Sequence, residues 1–302
     1  MSDILICEVG PRDGLQNAKH LMPTAAKKRW IGALAAAGLR EIEVGSFVPP
    51  RLIPAMADTA EIVAHARTLP GVKVVALAPN LKGFERAVAA GAHKITFPVS
   101  ASRLHSEANV RMTPEQMVEE VRRCAELRGA GGPEIEGAVA TAFGCTLQGE
   151  VPEDEVVRLA AALARSCDAV ALADTVGYAN PAQVKRVFRR VRGEIGDKLE
   201  GAHFHNTRGL GLANALAAWE EGVRAFDASM GGLGGCPFAP GASGNVITED
   251  LVYMFEAMGV RTGIDLEKLF AARAVLVEGL PAEPVYGHTA LAGLPKGFRA
   301  AA

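Results

Sequence analysis

The chain has 302 residues, and its 32 Lys and Arg against 34 Asp and Glu leave a formal charge of −2. Near-neutrality argues against a nucleic acid as partner, and 49% hydrophobic with 22% charged residues excludes disorder as the main state. Length alone leaves one large α/β domain or two smaller ones open, while 33 glycines and 17 prolines form a surplus that needs a location.

Short apolar runs rich in Val, Ile and Ala recur along the chain, each followed by a stretch of helical period, the pattern of parallel βα units. In chain order the predicted strands are Ile4–Glu8, Glu41–Val44, Lys73–Leu77, Lys94–Phe97, Glu134–Ala140, Ala169–Ala173, Glu200–His205 and Ala225–Ser229. Predicted helices alternate with them at Thr24–Ala37, Met56–Arg67, Gly83–Ala90, Pro114–Arg128, Pro152–Arg165, Pro181–Arg192, Leu210–Glu221 and Thr248–Met258. Thr113-Pro114, Asn180-Pro181 and Pro152-Glu153 are helix starts, because proline fits a first turn whose N–H has no partner in any case. Eight such units predict a (β/α)8 TIM barrel, whereas a doubly wound sheet usually has fewer strands. The expectation is one domain over 1–302, with 264–302 a short C-terminal helical extension, Leu266–Glu278, and a Pro- and Gly-punctuated tail packed on it.

The five cysteines contain no C-x-x-C pair, so neither a disulfide framework nor structural zinc is expected. Cys7, Cys124, Cys145 and Cys167 read as small core residues. The N-terminus lacks the basic region of a secretory signal, and no apolar run reaches the ~18 residues of a membrane span. These features predict a cytoplasmic protein with no membrane partner.

In a barrel, catalysis belongs at the C-terminal ends of the strands. There the sequence places Glu8 and then Gly10-Pro11-Arg12-Asp13-Gly14, Glu41 and Glu43, Asp174-Thr175, His203-Phe204-His205-Asn206 and the glycine-rich run 231–245. His203 and His205, two apart on a strand, point to the same side and can bind one metal. Imidazoles alone suit Zn, Mn, Fe or Ni; added oxygens from Asp13 and Asn245 shift the preference to Mg or Mn. Arg12, adjacent to Asp13, can face an anion. Glu43 and Asp174 are strand-end carboxylates able to pair with it or to serve chemistry. Cys236, in Gly234-Gly235-Cys236-Pro237, is a candidate proton donor or nucleophile. The remaining histidines, His20, His65, His93, His105 and His288, read as ordinary core or surface residues.

Several motifs together resemble the 3-hydroxy-3-methylglutaryl-CoA lyase family. They are Glu8-Val9-Gly10-Pro11-Arg12-Asp13-Gly14-Leu15-Gln16-Asn17, Ala78-Pro79-Asn80-Leu81-Lys82-Gly83, Asp174-Thr175-Val176-Gly177, His203-x-His205 and the run from Gly234 to Asn245. The resemblance implies Asp13, His203, His205 and Asn245 as metal ligands, Arg12 as stabiliser of enolate charge and Cys236 as the catalytic thiol. It places Glu43 and Asp174 near the metal and the reacting hydroxyl, and makes Gln16, Asn17 and Lys19 candidates for contact with CoA. The implied reaction is retro-Claisen cleavage of a branched 3-hydroxyacyl-CoA to acetyl-CoA and a 3-oxo acid, with a homodimer expected by analogy. Departures from the family pattern fall at Asn206, Arg208, Thr146-Leu147-Gln148-Gly149 and Phe97-Pro98-Val99-Ser100-Ala101-Ser102. They suggest an altered acyl preference, with Arg208 as an extra carboxylate contact. The rival readings are a Claisen-condensing acyltransferase of the isopropylmalate or homocitrate synthase type, and a non-catalytic acyl-CoA-binding barrel.

Overall fold

The structure, a computed structural model, describes residues 2–234 and 244–301. Eight parallel strands, β1 (Leu5–Glu8), β2 (Glu41–Ser46), β3 (Lys73–Leu77), β4 (Lys94–Ser100), β5 (Glu134–Ala140), β6 (Ala169–Asp174), β7 (Leu199–Phe204) and β8 (Ala225–Ala228), close into a barrel in sequence order. The ring shuts through β1 and β8, where Leu5 pairs with Ala225 and Glu8 with Ala228. Each predicted strand is present; β2 and β4 run further than expected because their last residues still find ladder partners, Ser46 on Leu77 and Ser100 on Ala140.

The outer layer consists of α1 (Thr24–Ala36), α2 (Thr59–Ala66), α3 (Leu81–Ala90), α4 (Arg103–Val110), α5 (Pro114–Leu127), α6 (Glu153–Ala164), α7 (Pro181–Ile195), α8 (Gly211–Glu220), α9 (Thr248–Ala257), α10 (Leu266–Gly279) and α11 (His288–Ala292). Asn80, Thr113 and Asn180 cap their helices by accepting from the third backbone N–H, and Thr113 with Gln116 completes a reciprocal capping box. Helix α4 is absent from the sequence reading, because RLHSEANV offers only a weak apolar stripe. Ser102 caps it, its hydroxyl accepting from the His105 amide.

Alternate strand residues divide the core. Those facing outward, such as Ile95, Phe97 and Val99, join the helices in one continuous apolar layer, while Cys7, Val9 and Val75 form a small cluster inside the barrel. Below that cluster Lys94 spans the interior, reaching Glu41 at 3.0 Å and Glu136 at 2.7 Å. One ammonium thus sits between two carboxylates, Lys73 also lies 3.8 Å from Glu41, and burial raises the Glu41 pKa. Cys7, Cys124, Cys145 and Cys167 are free and buried, as expected of small core residues. Helix α10 lays Leu266, Leu269, Ala272 and Leu276 into the main core. The tail is fixed further on, where Asp250 accepts from the amides of His288 and Thr289 and the Tyr286 amide donates to the Gly231 carbonyl at 2.8 Å. It therefore packs against the start of the loop that follows β8.

Glu8 ties the first and last strands together at the mouth. One of its oxygens accepts from the amides of Gly10 and Met230, both at 2.9 Å, and the other meets the Thr248 hydroxyl at 2.7 Å. Burial pushes its pKa up to about 8. The folded state therefore holds this proton more tightly than the unfolded chain, so the group's contribution is greatest below its unfolded value and is lost as pH rises through about 8. Glu8→Gln, which keeps the acceptor and cannot ionise, should remain folded and lose less melting temperature than the parent between pH 5 and pH 9, roughly the window linkage sets. Parallel melting curves for the two proteins across that range would contradict this account of Glu8.

Candidate metal centre and active site

After β1 the chain makes one turn of π-helix, Gly10–Gly14, a wide turn in which the amides of Asp13 and Gly14 both point to the Val9 carbonyl. Such turns are rare and frequent at functional sites. Proline at its start supplies a preset φ, and Gly10 is required because a Cβ there would stand 2.5 Å from Glu8 Oε1. The turn delivers Arg12 and Asp13 side by side to the mouth. Arg12 donates through Nε to Glu43 Oε2 at 2.6 Å and through Nη1 to Asp13 Oδ1 at 2.7 Å, so its guanidinium is locked by two carboxylates. Glu43 Oε1 is buried without a partner. Desolvation raises the Glu43 pKa to about 7, the charge of Arg12 restraining the rise.

From β7 come the two histidines, with ring centroids 5.2 Å apart. His203 Nδ1 lies 3.0 Å from Asp227 Oδ2 on β8, which leaves its other ring nitrogen to face the site. His205 Nε2 lies 3.9 Å from Asp13 Oδ2. Burial acts to raise the Asp13 pKa, but the charge of Arg12 and the neighbouring imidazoles hold it far below the ordinary carboxylate range. One donor atom from each of Asp13, His203 and His205 lies within 4.8 Å of the others.

The segment after the glycine run returns as a short bridge. Asn245 pairs with His205, and the Val246 amide donates to the Phe204 carbonyl at 2.9 Å. Asn245 Nδ2 donates to Asp13 Oδ2 at 2.7 Å and to the Leu233 carbonyl at 3.0 Å, while its Oδ1 is buried with no partner. His205 Nδ1 is likewise buried and unpartnered. An orphaned amide oxygen beside a carboxylate and two imidazoles is costly unless a cation or donor completes it. The residues present thus fit a divalent metal. Gly234 allows the approach, since a Cβ there would meet Asn245 Nδ2 at 2.5 Å.

Asp174 is buried at the end of β6, and its oxygens accept from the amides of Tyr178 and Ala179 at 2.8 and 3.1 Å. Burial raises its pKa, countered by those amides and by the charges of His205 and His203. Its visible work is to hold the turn after β6. Asn17 donates to the Asp13 carbonyl at 3.1 Å, Gln16 Oε1 is buried and unpartnered, and Lys19 is exposed with its backbone amide on Glu283. Arg208 donates to the carbonyls of Val176 and Gly177 and lies 4.4 Å from the centre of the Tyr178 ring. Together with Phe143, Gly144, Gly149 and Glu150 these two residues line a cavity of about 430 Å³ beside the mouth. Cys236, and with it most of the glycine run, lies outside the described residues.

Asp227 is the residue the sequence reading missed. Its signal was present, an acid two positions after an inward-facing Ala225 and therefore on the same face. A carboxylate on the far nitrogen of a ligating histidine fixes tautomer and ring orientation. Asp227→Asn should weaken Mn binding in calorimetry by about 10–100-fold with the melting temperature little changed, the usual size for such an outer partner. Unaltered affinity would leave Asp227 a packing residue.

A closed parallel barrel with an Asp–His–His donor cluster and a carboxylate-locked arginine at its C-terminal mouth defines a (β/α)8 enzyme with a candidate metal site. The chain belongs to the HMGL-like family, whose profile matches residues 3–276. It is 42% identical over 267 residues to the mitochondrial hydroxymethylglutaryl-CoA lyase of Gallus gallus, covering 88% of this chain and 90% of that protein. Identity to the cytoplasmic 3-hydroxy-3-methylglutaryl-CoA lyase of Mus musculus is 41% over 270 residues, covering 89% and 79%. Among solved structures, an HMG-CoA lyase from Acinetobacter baumannii in complex with coenzyme A and 3-methylmalate superposes with a TM-score of 0.92 at 43% identity, covering 98% of this chain and 97% of that one.

Proposed function

We propose that this enzyme cleaves 3-hydroxy-3-methylglutaryl-CoA, or a closely related branched 3-hydroxyacyl-CoA, between C2 and C3 to acetyl-CoA and a 3-oxo acid, acetoacetate for the first substrate. The observation that carries the reading is the convergence of Asp13, His203 and His205 beside the locked Arg12. Asp13, His203, His205 and Asn245 are the residues assigned to hold a divalent cation, Mg or Mn given the oxygen donors. When bound, such an ion lowers the pKa of a coordinated hydroxyl and polarises an acyl oxygen.

The protein's own groups supply the rest. Glu43, whose free oxygen is buried and whose pKa stands at about 7, is suited to accept the substrate's hydroxyl proton. As that proton leaves, the C2–C3 electron pair passes into the thioester enolate, and the 3-oxo acid forms at C3. Arg12, fixed through Nε and Nη1, has no further partner among the described residues and can face the enolate charge without reorganising. Asp174 acts through the turn it holds. Cys236 is assigned the proton delivered to the enolate carbon, after which its thiolate recovers a proton from the base. Gln16, Asn17, Lys19 and Arg208 are assigned to CoA and other anionic parts of the substrate.

The 3-methylmalate in the related lyase is a hydroxy-dicarboxylate, which supports an acyl group that carries its own carboxylate. Four free buried cysteines among the described residues are consistent with a reducing compartment such as the cytoplasm. No described helix is long and apolar enough to cross a membrane. Incubation with 3-hydroxy-3-methylglutaryl-CoA should release acetyl-CoA and acetoacetate in equal amounts. Absence of cleavage, together with free CoA appearing from acetyl-CoA and a 2-oxo acid, would favour a condensing enzyme instead.

A further inference from the structure

The mouth of the barrel is divided. Strands β1, β2, β7 and β8 carry Arg12, Asp13, Glu43, His203, His205 and Asp227 to it. Strands β4 to β6 present a different wall. On β4, Lys94 and Thr96 reach Glu136 inside the barrel, so by alternation Pro98 and Ser100 share that inward face. On β5 and β6, Ala138, Ala140, Ala171 and Ala173 lie on the same face, since Glu136 pairs with Ala169 and Ala138 with Ala171. This upper wall is therefore made of small apolar side chains and one strand hydroxyl, that of Ser100.

Ser100 does not stand alone. Its Oγ lies 2.5 Å from Nδ1 of His105, a residue only 4% exposed in the first turn of α4. That turn is anchored in turn: Ser102 caps it, donates from its hydroxyl to Gln148, and through its amide donates to Thr141 Oγ1 at 2.9 Å. Burial lowers the His105 pKa, so the ring is neutral and carries one N–H. The tautomer that carries the proton on Nδ1 donates to Ser100 Oγ and leaves the serine O–H to donate elsewhere, and that tautomer is part of the proposal that follows.

We infer that Ser100, oriented by His105, is a specificity-determining residue that hydrogen-bonds the carboxylate of the substrate's acyl group, while the alanine wall gives room to the branch at C3. The inference rests on the lyase reading and names a residue for the acyl carboxylate which that reading implies. His105 is a positioning residue whose effect on the substrate passes through its contact with Ser100. An apolar wall with one preset donor penalises an acyl group that lacks the acceptor, because the donor is then left unpaired.

The test compares 3-hydroxy-3-methylglutaryl-CoA with 3-hydroxy-3-methylbutyryl-CoA, which has no carboxylate. Ser100→Ala should lower kcat/KM for the first by about 10–100-fold, the usual worth of a hydrogen bond to a charged group, and leave the second within about twofold. Ser100→Thr, which keeps a hydroxyl, should restore most of the preference. His105→Phe should reproduce part of the selective loss and His105→Gln less of it, in proteins whose melting temperatures match the parent. Equal losses on both substrates, or an unchanged ratio, in a wild type that cleaves the first substrate would overturn the role of Ser100 alone. A wild type that cleaves neither substrate would overturn the lyase reading and this inference with it.

Discussion

Asp13→Asn is expected to remove cation binding at the barrel mouth while leaving the fold intact. The carboxylate sits where three partners converge: Oδ1 takes Arg12, Oδ2 takes Asn245 at 2.7 Å, and His205 lies 3.9 Å away. The amide has nearly the same shape, so packing changes little, but the negative charge that faces Arg12 and two imidazoles is gone. A divalent ion would then meet one negative charge fewer beside Arg12, and an amide in place of an anionic donor. Mn binding by calorimetry should fall by more than the roughly 10–100-fold that outer-sphere partners cost, with cleavage falling in parallel. Asn245→Ala should act in the same direction, because it removes a buried, unpartnered amide oxygen from a side chain bonded to Asp13. Asp13→Asn with parental Mn affinity would show that the cluster is an ion-pair network and not a metal centre.

The second large effect belongs to Arg12. Its Nε and Nη1 engage two different carboxylates, a fork that lysine cannot reproduce. Arg12→Lys should lower kcat by about 10²–10³, the scale of removing one preorganised donor from a developing anion, with KM changed much less. Arg12→Met should do more, since Glu43, already pushed up to about 7 by burial, loses its nearest cation and takes up a proton. A fall confined to KM would instead place Arg12 in substrate binding.

The barrel was legible because parallel strands buried on both faces are short apolar runs, and because turn and cap residues separated them cleanly. The His-x-His pair was legible for the same geometric reason, the period of two along a strand. What the sequence did not disclose depends on closure of the ring. Glu8 read as a strand-end acid, yet its three partners come from Gly10, Met230 and Thr248, the last two more than two hundred residues away in the chain. Asp227 gained its meaning only when β8 was laid beside His203. His105 read as an ordinary histidine because α4 carries little periodic signal and Ser100 lies beyond the predicted end of β4, at Phe97. Arg208 was legible as a departure, but not its seat on the Val176 and Gly177 carbonyls over Tyr178.

The central claim is that the cation held at the mouth is what lets this barrel break a carbon–carbon bond in an acyl-CoA. The direct measurement is acetyl-CoA release from 3-hydroxy-3-methylglutaryl-CoA by protein stripped with a chelator, before and after addition of Mg or Mn, beside Asp13→Asn treated identically. The account predicts cleavage that disappears on stripping, returns with either ion in the parent protein and does not return in the variant. Cleavage at full rate by the stripped protein, or equal recovery in Asp13→Asn, would contradict it.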